Sequence, residues 1–181
     1  MSAEFSAVAE LMPLIADERI QLVDAHNRPC GSALRAQMRR FQLWHRATYV
    51  VVRNRHGELC VQRRTLTKEV FPGGVDLAAG GVVGAGEAVH VAARRELAEE
   101  LGITGVPLRF CLDFRYAEGG HHIYGSAFLV EYSGALRLQP EEVAQAIWLP
   151  LDEALAHPQA TPDTHLALTR LVEGGWLERG S

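Results

Sequence analysis

Glu96, Glu99 and Glu100 are the residues of this sequence best placed to do chemistry, because they lie at offsets of zero, three and four. On a helix, positions three and four apart share one face, so the three carboxylates converge. Glu96 and Glu100 are like charges at the i,i+4 spacing, which destabilises an isolated helix by about 0.2–0.5 kcal/mol. Arg94 and Arg95 offset part of that repulsion. A divalent cation would offset far more. Carboxylates are hard oxygen ligands, suited to Mg²⁺ or Mn²⁺ rather than to a metal that prefers thiolates. Upstream lie Gly73, Gly74, Gly80, Gly81, Gly84 and Gly86. Such density lets backbone approach a ligand and aim its amides and carbonyls at it. A Glu-x-x-Glu-Glu taken alone is more often a solvated helix face. The glycine loop before it, and the stop at Gly102 after it, set this one apart.

The elements that must position these groups are legible in outline. The pattern predicts an amphipathic helix over residues 3–15, from Phe5, Val8, Leu11 and Leu14, and a strand over 20–24. A turn follows at 26–29, then a helix over 33–42. Residues 47–54 are rich in β-formers, 54–57 read as a hairpin turn, and 58–63 return as a strand. Residues 71–86 are irregular. A helix over 87–101 carries the glutamates. Its apolar row of Ala93, Leu97 and Leu101 is placed to pack on a sheet, and Gly102 stands where a C-terminal glycine is expected. Strands are expected at 108–116, 123–131 and 146–149, with helices at 151–156 and 164–173, the last capped by Asp163. Strands and helices mix without strict alternation, which points to a mixed sheet with helices on both faces.

Composition bounds the rest. A chain of 181 residues suits one domain, read here as 18–178 behind a helical extension over 1–17. The net charge of −4 argues against nucleic acid as the main partner. Cys30, Cys60 and Cys111 match no metal or disulfide spacing and read as free thiols in a reducing compartment. No apolar run approaches the roughly 20 residues of a membrane span. The acidic N-terminus lacks a basic leader, so a cytoplasmic location is expected. The segment before Glu18 is a candidate surface for a second copy, as in a homodimer, or a cap.

One family joins these features. Gly81, five residues, Glu87, seven residues, Arg95-Glu96-Leu97, one residue, Glu99-Glu100, one residue and Gly102-Ile103 resembles the Nudix box at every specified position. The resemblance implies an α/β/α sandwich with a mixed sheet. It implies metal ligation by Glu96, Glu99 and Glu100, with a carbonyl from Gly80 or Gly81. It also implies that Arg95 holds a neighbouring glutamate and that Glu87 supports the site from the loop–helix junction. The activity implied is cleavage of a diphosphate joined to a nucleoside or another group. Mg²⁺ would neutralise the oxygens and activate water, and a carboxylate would take the proton. Glu99 is one candidate base; Glu142, on a segment where such enzymes often carry a late glutamate, is another.

A second, narrower likeness separates hydrolysis from isomerisation. His45-Arg46-Ala47, Gln62-Arg63-Arg64, Lys68 and Phe71-Pro72-Gly73 look like isopentenyl diphosphate isomerase, a branch of the same superfamily. That enzyme uses a cysteine shortly before the box region; here Ala79 takes its place. Gly81 stands where a metal-binding histidine is implied, and His121-His122-Ile123-Tyr124 where two glutamates are. An alanine donates no proton, while the box glutamates are complete, so the balance falls on hydrolysis. The pattern is closest to the bacterial isomerase-like Nudix hydrolases. Arg63, Arg64 and Lys68 are candidates to hold the diphosphate, and Trp44, Phe71, Tyr116 and Tyr124 to stack a base. The isomerase and a non-catalytic nucleotide sensor stand as alternatives.

Overall fold

The computed structural model describes residues 18–178. The helix expected over 3–15, and with it the extension over 1–17, lies outside the described residues. Strand β1 (Arg19–Val23) turns at Asn27, where φ is 59°, into β2 (Pro29–Leu34). Helix α1 (Arg35–Arg40) follows directly. The helix expected over 33–42 is thus shorter than its pattern suggested. Ala33 and Leu34 complete the antiparallel register with Ile20 and Arg19, and the sheet claims them first. Met38, Ile20 and Val82 form a small core beneath α1.

Strand β3 (His45–Arg53) is the centre of the fold. It pairs in parallel with β7 (His121–Glu131) along its full length, and β7 pairs antiparallel with β6 (Arg109–Glu118). Strand β4 (Leu59–Arg64) leaves β3 through the expected turn at 54–57, but the two pair only at Arg53 and Leu59. They then diverge. β4 runs beside β8 (Val143–Leu149) and the short β5 (Val75–Asp76). The opening between β3 and β4 is filled by the glycine-rich segment. Val50 bridges to Ala79 and Ala47 to Val82, and Gly84 reaches Ile20 on β1.

Burial on both faces explains the unbroken apolar run of β3. Val50 and Val52 face helix α2 (Val89–Leu101), where Ala93, Leu97 and Leu101 pack with Ala79 and Phe128 as the apolar row predicted. Tyr49 and Val51 face the opposite layer of α3 (Leu151–Leu155) and α4 (Pro162–Glu173). The result is an α/β/α sandwich around a mixed sheet. α2 starts at Val89 rather than 87, because Glu87 closes a turn with its amide on the Gly84 carbonyl at 3.0 Å. Its end follows the sequence. Gly102 has φ 68°, and a Cβ there would meet Arg137 Cβ at 2.7 Å. Asp163 does not cap α4. Thr161 occupies that position, with Pro162 next, and Asp163 accepts from the Tyr49 hydroxyl at 3.0 Å. Cys60 and Cys111 are buried free thiols; Cys30 is exposed. No described helix is long and apolar enough to cross a membrane.

Candidate active site

The glycine segment and α2 bring the predicted carboxylates to one wall. Gly80 is forced by space: a Cβ there would lie 1.8 Å from the Thr48 carbonyl oxygen. Gly81 is forced by the site itself, since a Cβ would meet Glu96 Oε1 at 2.5 Å. The Gly81 carbonyl accepts from the Thr48 amide at 2.9 Å and so belongs to the sheet. The Gly80 amide donates to Glu100 Oε2 at 3.2 Å, and its carbonyl accepts no hydrogen bond among the described residues.

The three glutamates differ in burial. Glu100 is buried, and Gln62 Nε2 donates to its Oε2 at 2.9 Å. Burial, with Glu96 and Asp76 nearby, pushes its carboxyl up to about 8. Glu96 is mostly buried and is also raised, by burial first, against the lowering pull of Arg95. Glu99 is half exposed.

Arg95 ties this wall together. Its guanidinium forks onto Glu87 at 2.9 and 3.1 Å, and Nη1 reaches Glu96 at 2.7 Å and Glu99 at 3.3 Å. Glu87 in turn accepts from the Gly84 amide at 2.9 Å, and the Arg95 bonds lower its pKa. Both implied supporting roles therefore have their contacts.

With Arg95 between Glu96 and Glu99, no group of three or more His, Cys, Asp or Glu is gathered tightly enough to hold a metal among the described residues. The donor set nevertheless fits a hard cation. Burial pushes the carboxyls of Glu100 and Glu96 towards neutrality, and the buried Oε1 of Gln62, whose Nε2 holds Glu100, has no partner among the described residues.

Beside this wall opens a cavity of about 520 Å³ that shares Gly80 and Gly81 with it. Of the three predicted cations, Arg64 and Lys68 line the cavity. Arg64 Nη1 is held by Asp76 at 2.6 Å, and Lys68 pairs with Glu142. The Glu142 charge acts on Glu96, which places this late glutamate beside the box. Arg63 is elsewhere: its Nη1 donates to the Gly73 carbonyl at 2.9 Å and to Gln159 at 3.1 Å.

Phe71 and Tyr116 line the cavity. Trp44 and Tyr124 do not; they pack on each other at 5.0 Å, under Arg115. His45 is buried, with Nδ1 2.9 Å from the Leu43 carbonyl, and burial brings it down to about 4. It lines the cavity with His121 and His122. Ala79 is buried in the core, bonded through its backbone to Val50. Sequence reading gave no role to Gln62, Asp76, Arg35 or Arg39, all of which meet the wall or the cavity.

The NUDIX domain family matches residues 43–171. A protein of Yersinia pestis described as an uncharacterised Nudix hydrolase is 39% identical over 175 residues, 96% of this chain and 93% of its own. One of Pseudomonas aeruginosa, described in the same words, is 44% identical over 145 residues, 80% of this chain and 86% of its own. A crystal structure from Deinococcus radiodurans superposes with a TM-score of 0.76 at 25% identity, covering 86% of this chain and 99% of that one.

Proposed function

This chain belongs to the Nudix family, hydrolases acting on small-molecule diphosphates, and from that premise we propose that it is a Mg²⁺-dependent enzyme cleaving the diphosphate of a nucleoside diphosphate derivative or a related organic diphosphate. One observation carries the reading: Glu100 is buried and Glu96 mostly buried behind Gly80 and Gly81, at the edge of a cavity lined by Arg64 and Lys68. Buried carboxylates raised towards neutrality form a site that gains most from a divalent cation.

Glu96, Glu99 and Glu100 would hold Mg²⁺ or Mn²⁺, with the Gly80 carbonyl as a further oxygen. When bound, the ion neutralises diphosphate oxygens and makes water a better nucleophile. Arg95 fixes the glutamates through the contacts described. Arg64 and Lys68 orient the diphosphate, using the charge and fork geometry that suit phosphoryl oxygens. Glu99, exposed and bonded to Arg95, is one candidate to take the proton of the attacking water. Glu142 is the second candidate, steadied by Lys68. Nothing at Ala79 donates a proton to carbon, so the isomerase reading has no acid at that position.

The test is a panel of nucleoside triphosphates, nucleotide sugars, dinucleotides, coenzyme A and isopentenyl diphosphate, incubated with Mg²⁺ and followed by phosphate release and product mass. Cleavage at a diphosphate, lost in Glu99→Gln, supports the proposal. Isomerised isopentenyl diphosphate with no phosphate lost would sink it. Tight nucleotide binding without turnover of any compound would favour the sensor.

A further inference from the structure

Helix α1 consists of RAQMRR, anchored by buried Met38. Arg35 and Arg39 stand at i,i+4, so they share a face one turn apart. Both line the cavity, together with Arg64. Two of these cations are steadied from the side: Arg35 by Glu18 at 3.2 Å, and Arg64 by Asp76 and the Val70 carbonyl. Arg39 is held more loosely. Its side chain is only 21% exposed, and its one charged contact among the described residues is Glu69 at 3.0 Å, a side chain that is itself 68% exposed. The buried Nε makes no hydrogen bond of acceptable geometry. A guanidinium has five N–H donors, and a buried Nε–H without a well-aligned acceptor leaves a place for one. Desolvation, with Arg35 and Arg64 beside it, lowers the Arg39 pKa.

This cluster stands apart from the carboxylate wall. The charges that bear on Arg39 are Arg35, Glu69, Arg64 and Glu18, whereas those that bear on Glu100 are Glu96, Asp76 and Lys68. The Arg64–Asp76 pair links the two sets. One end of the cavity therefore calls for a cation and the other for an anion.

We propose that Arg35, Arg39 and Arg64 form an anion subsite that holds a phosphoryl group of the substrate, with Arg39 as its principal donor. Guanidinium forks match phosphoryl oxygens in shape and charge. That the phosphoryl group belongs to the substrate rests on the hydrolase reading; the anion site itself rests on Arg39.

The experiment is a calorimetric titration of the chelator-treated full-length protein with inorganic phosphate at low ionic strength. Saturable binding is expected. Arg39→Ala should weaken it about tenfold or more, and Arg39→Lys should restore part of the loss. Glu99→Gln should bind phosphate as the parent does while losing turnover. Thermal melting checks each fold, and Arg39→Gln, which keeps the stem, replaces the alanine variant if that one is unfolded. No saturable binding by the parent protein, or unchanged binding in both the Arg39 and Arg35→Ala variants, overturns the subsite. Arg39-dependent phosphate binding without cleavage of any compound in the panel leaves the subsite standing and removes the Mg²⁺-dependent reading instead.

Discussion

At the carboxylate wall, Arg95 commits its guanidinium to Glu87, Glu96, Glu99 and the Val82 carbonyl, whereas at the α1 end Arg39 has, among the described residues, Glu69 alone. The wall is also fixed by backbone: Gly80 against Thr48, Gly81 against Glu96. The α1 end has a six-residue helix and long side chains. One end is assembled before any ligand arrives, as sites that stabilise developing charge require. The other keeps donors in reserve. Rigidity thus sits where bonds are expected to break, and adaptability where the substrate is gripped.

The contrast can be broken most severely at Gly80. Gly80→Ala drives a methyl into the Thr48 carbonyl, and a backbone clash in the sheet should cost more than about 4 kcal/mol in urea unfolding. A mild loss would mean that the wall is less rigid than described. Next in size, Glu99→Gln and Glu100→Gln should each lower turnover roughly 10²–10⁴-fold with the fold intact, as measured by melting and steady-state rates. Survival of both activities would misplace the site.

A smaller effect concerns pH. Glu100 has a folded value of about 8, above its unfolded value of about 4.3. The stability of its neutral form is fully present below the unfolded value and is lost as pH rises through the folded one. In chelator, urea unfolding should therefore show Glu100 contributing a fall of at most about 1.4 kcal/mol per pH unit between roughly pH 5 and 8. Glu100→Gln should remove that slope, and Mg²⁺ should flatten it in the parent. Smallest of all, Arg63→Ala gives up its hydrogen bonds to Gly73 and Gln159. It should change stability by about 0.5 kcal/mol or less and leave turnover within about twofold.

The wall was far more legible in the sequence than the cavity. A helix repeats every 3.6 residues, so spacing alone brought Glu96, Glu99 and Glu100 to one face and put Leu97 on the other. The turn at 54–57 was equally plain, because turn chemistry is local. That β3 would prefer β7, and β4 prefer β8, was hidden, since partner choice depends on residues some seventy or more positions away along the chain. The stitching of residues 79–84 across the opening was hidden too, because a glycine run has no period to read. Nothing in the sequence singled out Arg35 and Arg39: the helix that carries them has six residues, too few to show which face it turns inwards. Arg63 illustrates the reverse, a residue suited to phosphate by type that the fold aims elsewhere.

The divergence of β3 from β4 has a consequence for the order in which the protein is made. A chain that has left the ribosome only as far as Ile103 already carries every residue of the box. It still lacks β7, which fixes β3 in place, and β8, which does the same for β4. The signature is complete in synthesis well before it is complete in space, and the newborn glutamates must wait for the second half of the chain to build the walls around them.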